Sequence, residues 1–119
     1  MSNIDAFTTE VIRSALVAIT GEMKTNLMRT AYHTIIYEAE DFTVGLFDSD
    51  GNTISIGLGL PMFIRGLSDA IKAKIAHWGK QKIEPGDILL TNDSYIMGSH
   101  LNHMIYTLPI FNDGELVAF

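Results

Sequence analysis

The sequence predicts an α+β fold in which a long N-terminal helix and a second helix pack on a mainly antiparallel sheet. Two stretches, from about Thr8 to Ala31 and from roughly Gly66 to Gly79, repeat apolar residues at helical spacing. An Asp-Gly turn between two strand-like runs is a strong signal for a β-hairpin. No internal repeat, low-complexity tract or linker divides the chain, which predicts one packed unit over residues 1–119.

Length, charge and composition exclude several classes of protein. A chain of 119 residues suits one domain with one modest core. Its net charge is −6, and its eight Lys and Arg residues are scattered, which argues against a nucleic-acid surface. Cysteine is absent, so disulfides, thiolate metal sites and cysteine nucleophiles are excluded. The longest apolar run, Ala15 to Ile19, is far shorter than the ~20 residues that span a bilayer. We expect a soluble, cytoplasmic protein.

The first predicted helix has a candidate N-cap at Thr8 or Thr9. We expect its apolar stripe to pack on the sheet. The stripe consists of Val11, Ile12, Ala15, Leu16, Ile19, Met23, Leu27 and Met28. In the second helix, apolar residues and Lys74 lie on or near one face, and Gly79 fits a C-cap.

The predicted hairpin runs from Phe42–Phe47 through a turn at Asp48–Asn52 to Thr53–Leu58. Its aspartates resemble the opening of a calcium loop, but the other ligands of that motif are missing, so we interpret them as turn residues. The chain ends on the apolar run Leu116–Phe119, just inside a further strand. Because domain termini are usually polar and frayed, we expect the chain to be part of a larger subunit.

The candidate site is the loop Asn92–His103, which carries two imidazoles, a carboxylate, a phenol and two carboxamides. Strand-like runs lie on either side of it, at Asp87–Thr91 and Ile105–Ile110. Polar residues on a loop between buried strands are where a scaffold can present chemistry to a ligand.

His100 and His103 are three residues apart, so they share a face on a turned backbone but not on a regular strand. Gly98 would help such a turn to form. Imidazoles with a carboxylate suit Zn, Mn or Fe, and a site with few protein ligands leaves room for water. The H-x-x-H spacing alone is a weak signal for a metal, because histidines that only form structural hydrogen bonds show the same spacing.

Eleven short stretches, taken in order, carry a wider resemblance. They are Ala18–Met23, Leu27–Ala31, Glu40–Thr43, Leu46–Asp48, Asp50-Gly51, Leu60-Pro61, Pro85–Asp87, Asn92–Tyr95, Gly98–Leu101, Pro109–Phe111 and Gly114–Val117. Together they resemble the N-terminal region of the hydantoinase B / 5-oxoprolinase / acetone carboxylase alpha-subunit family. The resemblance spans nearly the whole chain, and its motifs are specific only in combination.

The resemblance implies a chain that works with an ATP-binding, hydantoinase A-like partner in a hetero-oligomer. Family members are longer, and together with the partner they activate a carbonyl as a phosphorylated intermediate. One branch then opens a cyclic amide with water, whereas the ketone carboxylase branch joins an activated ketone to carbon dioxide. The resemblance therefore implies either a small cyclic amide or a ketone as substrate.

The resemblance also implies a divalent transition metal, Zn, Mn or Fe. Residue by residue, His100 matches the family's first histidine ligand and Asp41 its early carboxylate. His103 stands where the family has an aspartate, and Phe63 stands where it has a further histidine. A last histidine ligand would lie beyond Phe119.

Asp93 and Glu40 are the candidates for a base or for a residue that orients one. Asp93 is also well suited to close the strand in an Asx-turn. His33 beside Tyr32 is either a hydrogen-bonded partner or a site residue.

The leading hypothesis is the N-terminal portion of the catalytic subunit of an ATP-dependent, metal-assisted cyclic amide hydrolase. The first alternative is a subunit of a ketone carboxylase, which the departures at Phe63 and His103 favour. The second is a non-catalytic fragment that serves as a subunit-interaction module.

Overall fold

A computed structural model of the protein describes residues 5–57, 59–98 and 100–119. Leu58, predicted at the end of a strand, and Ser99 in the candidate loop lie outside the described residues. The helices are α1 Ala6–Thr30, α2 Thr34–Tyr37 and α3 Gly66–Trp78, with 3-10 turns at Pro61–Phe63 and Lys80–Lys82. The strands are β1 Val44–Phe47, β2 Thr53–Gly57, β3 Leu89–Thr91, β4 Ile105–Thr107, β5 Ile110–Asn112 and β6 Glu115–Ala118.

The strands form three antiparallel pairs, β1–β2, β3–β4 and β5–β6, with helices packed on them. The α+β class and the predicted hairpin are therefore confirmed. Phe47 and Phe119 exchange two backbone hydrogen bonds of 2.8 Å, which join the first pair to the end of β6. The run Ile105–Ile110, predicted as one strand, is instead split between β4 and β5. Pro109 lies at the break and has no N–H to donate to a ladder.

α1 begins one turn earlier than the predicted N-cap residues would place it. Asp5 is the N-cap, and its Oδ1 accepts a hydrogen bond of 2.9 Å from the Thr8 N–H. The prediction of Thr8 or Thr9 was wrong because the Asp5 carboxylate already accepts the N–H of Thr8, so the helix begins before that residue.

The apolar stripe of α1 packs less completely than expected. Thr20 is the buried residue of the helix, and its Oγ1 lies 2.9 Å from Ser55 Oγ on β2. The contact is close because Gly57 has no side chain to collide with the Thr20 carbonyl. Several stripe residues stay exposed: Val11, Ile12, Ile19 and Leu27. Within the described residues, no helix is long and apolar enough to cross a membrane.

α3 lies between two clusters of buried apolar side chains and contributes to both. Ile71 belongs to a cluster with Phe47, Ile83, Leu89 and Phe119. Ala70 belongs to a second cluster with Phe63, Met97 and Ile105. The predicted second helix and its C-cap at Gly79 are confirmed.

Lys74 continues the buried face of α3 and is only 4% exposed. Its Nζ donates hydrogen bonds to the Leu89 carbonyl at 3.1 Å, the Ile105 carbonyl at 2.7 Å and Thr107 Oγ1 at 2.8 Å. These acceptors use all three N–H donors of the ammonium group. Burial of the charge lowers the pKa of Lys74 from 10.5 to about 8.

This pKa predicts that stability increases as the solution becomes alkaline. Between pH 8 and 10.5 the folded state has released the Lys74 proton while the unfolded chain still holds it, so the free energy of unfolding rises with pH. The free energy of unfolding should rise by about 3 kcal/mol in total, because each unit of difference between the folded and unfolded pKa contributes about 1.4 kcal/mol. Chemical denaturation at several pH values should show this slope in the wild type and in Lys72→Met, whose lysine is exposed. An equal slope in Lys74→Met would contradict the assignment.

Candidate functional site

The candidate loop is built from two successive turns between β3 and β4. In the first, the Asp93 carbonyl accepts hydrogen bonds from the N–H groups of Ile96 and Met97 at 3.1 and 3.0 Å. In the second, the His103 N–H donates to the His100 carbonyl at 3.0 Å. Asn92 Nδ2 reaches across the loop to the Leu101 carbonyl at 3.2 Å. The loop is therefore held by its own polar groups at its base.

The second turn brings the two histidines together. Their ring centroids are 5.8 Å apart and the ring planes are inclined at 45°. Because zinc–imidazole bonds are about 2.1 Å long, two imidazoles that bind one ion have centroids within about 6.5 Å of each other. The separation of His100 and His103 thus fits ligation of a single ion, on the turned backbone that the spacing required.

His103 is held against the protein core on one side. Its ring makes a T-shaped contact with Phe63, with centroids 4.5 Å apart and planes at 77°. Phe63 belongs to the second buried cluster. Gly98 has a φ of +119°, and a Cβ added there would lie 3.2 Å from the Cβ of His103. The glycine therefore permits both the chain reversal and the close approach of the imidazole.

Three physical effects set the protonation of His103. Its partial burial lowers the pKa below 6.5, the charge of His100 lowers it further, and the carboxylate of Asp41 raises it. The net lowering favours the neutral imidazole at neutral pH, which is the form that binds metal ions. Asp41 is thus close enough to the pair to act on it electrostatically.

The metal site predicted from the sequence can be compared with the donors that the described residues bring together. Two imidazole rings lie 5.8 Å apart between their centroids, and the Asp41 carboxylate acts electrostatically on one of them. However, residues 5–57, 59–98 and 100–119 contain no group of three or more His, Cys, Asp or Glu side chains that could hold an ion. By the chemistry of its donors, the imidazole pair suits Zn, Mn or Fe rather than Ca or Mg.

Glu40 has an ionic partner that the sequence did not indicate. Its Oε2 lies 2.8 Å from Lys24 Nζ of α1, and both side chains are partly exposed. The backbone of Glu40 has a φ of +52°, and its carbonyl accepts a 2.7 Å hydrogen bond from the Phe42 N–H. The residue therefore joins α1 to the segment that carries Asp41.

Asp93 lies at a different place from the histidine pair. Its Oδ1 accepts a 2.9 Å hydrogen bond from the Tyr95 N–H, as in the expected Asx-turn. It also borders a cleft of about 370 Å³ between α3 and β3, and among the described residues neither His100 nor His103 lines this cleft. The lining residues are Ala73, Lys74, His77, Trp78, Leu90, Thr91, Asp93 and Ile96.

Two residues important to this arrangement were missed in the sequence. Phe63 was considered only as a missing histidine, and nothing in the local pattern indicates its contact with His103. Lys74 did leave a signal, because it lies four residues after Ala70 and three after Ile71 on an apolar helical face. A lysine at such a position is rarely fully buried unless its donors find partners.

Comparison with known sequences assigns the chain to a family. The sequence model described as hydantoinase B/oxoprolinase matches residues 5–119. The chain belongs to the hydantoinase B/oxoprolinase family. The resemblance noted in the sequence is therefore confirmed.

Several curated relatives are similar to the chain along nearly its whole length. It is 30% identical to 5-oxoprolinase 1 of Arabidopsis thaliana, over 97% of this chain and 9% of the relative. It is 32% identical to 5-oxoprolinase of Saccharomyces cerevisiae, over 98% of this chain and 9% of the relative. It is also 32% identical to caprolactamase subunit beta of Pseudomonas jessenii, over 98% and 20% respectively. The chain thus spans about a tenth to a fifth of the length of these relatives.

The electrostatic link between Asp41 and His103 can be tested by substitution. Asp41→Asn should lower the pKa of His103 further, because the carboxylate favours the imidazolium form. An NMR titration of the imidazole resonances in chelator-treated protein measures this change. Asp113→Asn, in the exposed turn between β5 and β6, is the control and should leave the pKa unchanged. A His103 pKa that does not respond to Asp41→Asn would place the carboxylate away from the pair.

Proposed function

We propose that this chain is part of the catalytic subunit of an ATP-dependent, metal-assisted hydrolase that opens cyclic amides. The proposal depends above all on the His100–His103 pair, whose ring centroids lie 5.8 Å apart. Partial burial of His103 lowers its pKa and so favours its neutral form. Membership of the hydantoinase B/oxoprolinase family over residues 5–119 supports the reaction class.

The names of the relatives support a lactam as the substrate. 5-Oxoproline and caprolactam are both cyclic amides, although their rings differ in size. An amide carbonyl is a poor electrophile, so its opening by water needs activation. We propose that an ATP-binding, hydantoinase A-like partner supplies this activation by forming a phosphorylated intermediate. The designation of one relative as a beta subunit supports a hetero-oligomer.

In this proposal His100 and His103 would hold a Zn, Mn or Fe ion, and Asp41, predicted as a ligand from the sequence, would act as a neighbouring negative charge. Such an ion would supply a nucleophile near neutral pH or polarise a substrate oxygen. The lowered pKa of His103 favours the neutral imidazole, which is the form that binds a metal ion. Glu40, restrained by Lys24 beside Asp41, is proposed to accept or orient a proton at the histidine pair. Asp93, restrained by the Tyr95 N–H, is proposed to do so only for a group bound in the separate cleft between α3 and β3.

A second candidate is an ATP-dependent ketone carboxylase subunit of the acetone or acetophenone type. The observation in its favour is the contact between Phe63 and His103, which joins two positions at which this chain departs from the family pattern. A phenyl ring against the imidazole excludes water from that side of the pair. Carboxylation of an activated ketone does not require a water nucleophile, so an apolar flank is compatible with it.

An activity assay separates these candidates. The full-length protein with its ATP-binding partner should hydrolyse 5-oxoproline, caprolactam or a hydantoin in an ATP-dependent reaction. His100→Ala should reduce kcat/KM by roughly 100-fold or more, because loss of a ligand costs at least as much as loss of a residue that supports one. The control variant Lys72→Met, which alters an exposed lysine, should retain full activity.

Other outcomes are equally decisive. ATP consumption that needs both a ketone and bicarbonate would overturn the hydrolase in favour of the carboxylase. Failure with every lactam and ketone, despite a stable complex with the partner, would overturn both and leave a non-catalytic interaction module.

A further inference from the structure

Lys74 connects α3 to both strands that carry the candidate loop. Leu89 starts β3, before the loop, and Ile105 and Thr107 belong to β4, after it. One ammonium group donates to the carbonyls of Leu89 and Ile105 and to the hydroxyl of Thr107, all within 3.1 Å. The strands are also paired with each other, Leu89 opposite Thr107. The side chain thus fixes the two strands relative to the helix and to each other.

The chemistry of this contact is unusual for a buried cation. In the part of the chain that the structure describes, the ion pairs involve Arg13, Lys24 and Lys80, and Lys74 has no carboxylate partner. Its charge is balanced only by neutral oxygen dipoles, at a position 4% exposed. An apolar residue would fill this face of α3 without the cost of desolvating a charge. Packing alone therefore does not account for a lysine here.

The middle of the loop is attached to the same helix by a separate contact. Met97 is buried in the cluster with Phe63, Ala70 and Ile105, and it fills the space left by Gly66 at the start of α3. His103 in turn rests on Phe63. The imidazole pair is thus held between the Lys74 hydrogen bonds at the base of the loop and the apolar contact at Met97.

We infer that Lys74 is a positioning residue, whose three hydrogen bonds fix β3 and β4 on α3 and thereby set the geometry of His100 and His103. The catalytic consequence rests on the function proposed above, but the positioning itself does not. Loss of the ammonium group should release the loop while β1, β2 and α1 keep their structure.

The loss can be measured by amide hydrogen exchange on the full-length protein. In Lys74→Met, the amides of Ile96, Met97 and His103 should exchange more than about tenfold faster, whereas β1–β2 amides should change little. Thr107→Val removes one acceptor and keeps the lysine, so it should give the same pattern more weakly. If Lys74→Met fails to fold, the exchange pattern of Thr107→Val alone decides the test.

Two control variants separate positioning from general loss of stability. Lys72→Met alters an exposed lysine of the same helix and should exchange like the wild type. Thr20→Val removes the buried hydrogen bond to Ser55, far along the chain from the loop, and should accelerate exchange in α1 and β2 without preference for the loop. Uniform acceleration in Lys74→Met and Thr107→Val, as opposed to a loop-selective effect, would overturn the inference.

A zinc titration of the same variants links the positioning to the histidine pair. Isothermal titration with Zn²⁺ should show weaker binding in Lys74→Met by roughly tenfold and no binding in His100→Ala. If the wild type binds no zinc, the proposed metal chemistry fails, while the exchange pattern still decides the role of Lys74. Unchanged zinc affinity in Lys74→Met would show that Lys74 does not set the geometry of His100 and His103.

Discussion

The buried ammonium group of Lys74 is the interaction on which the arrangement of the C-terminal half depends. Desolvation of a charge is costly, and three hydrogen bonds to neutral oxygens offset that cost only where all three are well formed. The lysine therefore tolerates little displacement of β3 or β4. If it loses its proton, two N–H groups can still donate to the carbonyls while the Thr107 hydroxyl donates to the nitrogen.

A loop attached in this way can present polar groups in a fixed geometry. Its base is held by Lys74 and by the hydrogen bond from Asn92 to Leu101, and its middle is held by Met97. Two histidines then meet on a single turn. Rigid support beneath a set of ligands is what a metal or catalytic site needs, because small displacements of the ligands weaken binding and catalysis.

Much of the fold follows from local patterns in the sequence. The Asp-Gly hairpin, the second helix and its Gly79 cap depend on short-range chemistry, and the structure confirms them. Periodicity also identified the long first helix, but a period shows only which residues share a face. It does not show what covers that face, so the exposure of Val11 and Ile12 was not predictable.

The candidate site was predictable in composition but not in geometry. The sequence singled out Asp41, Glu40, Asp93, His100 and His103 as chemical groups. Only the chain's path shows that the histidines meet on a turn, that Asp93 borders a separate cleft and that Glu40 pairs with Lys24. The contact of Phe63 with His103 joins residues far apart in the chain, and no local pattern encodes such a pairing.

The central claim, that His100 and His103 share one metal ion, is tested most directly by metal analysis of purified full-length protein. Inductively coupled plasma mass spectrometry should find near-stoichiometric Zn, Mn or Fe in the wild type and in His77→Ala, an imidazole outside the pair. The metal should be lost from both His100→Ala and His103→Ala. Metal retained in either of these two variants, or absent from the wild type after purification and reconstitution, would contradict the claim.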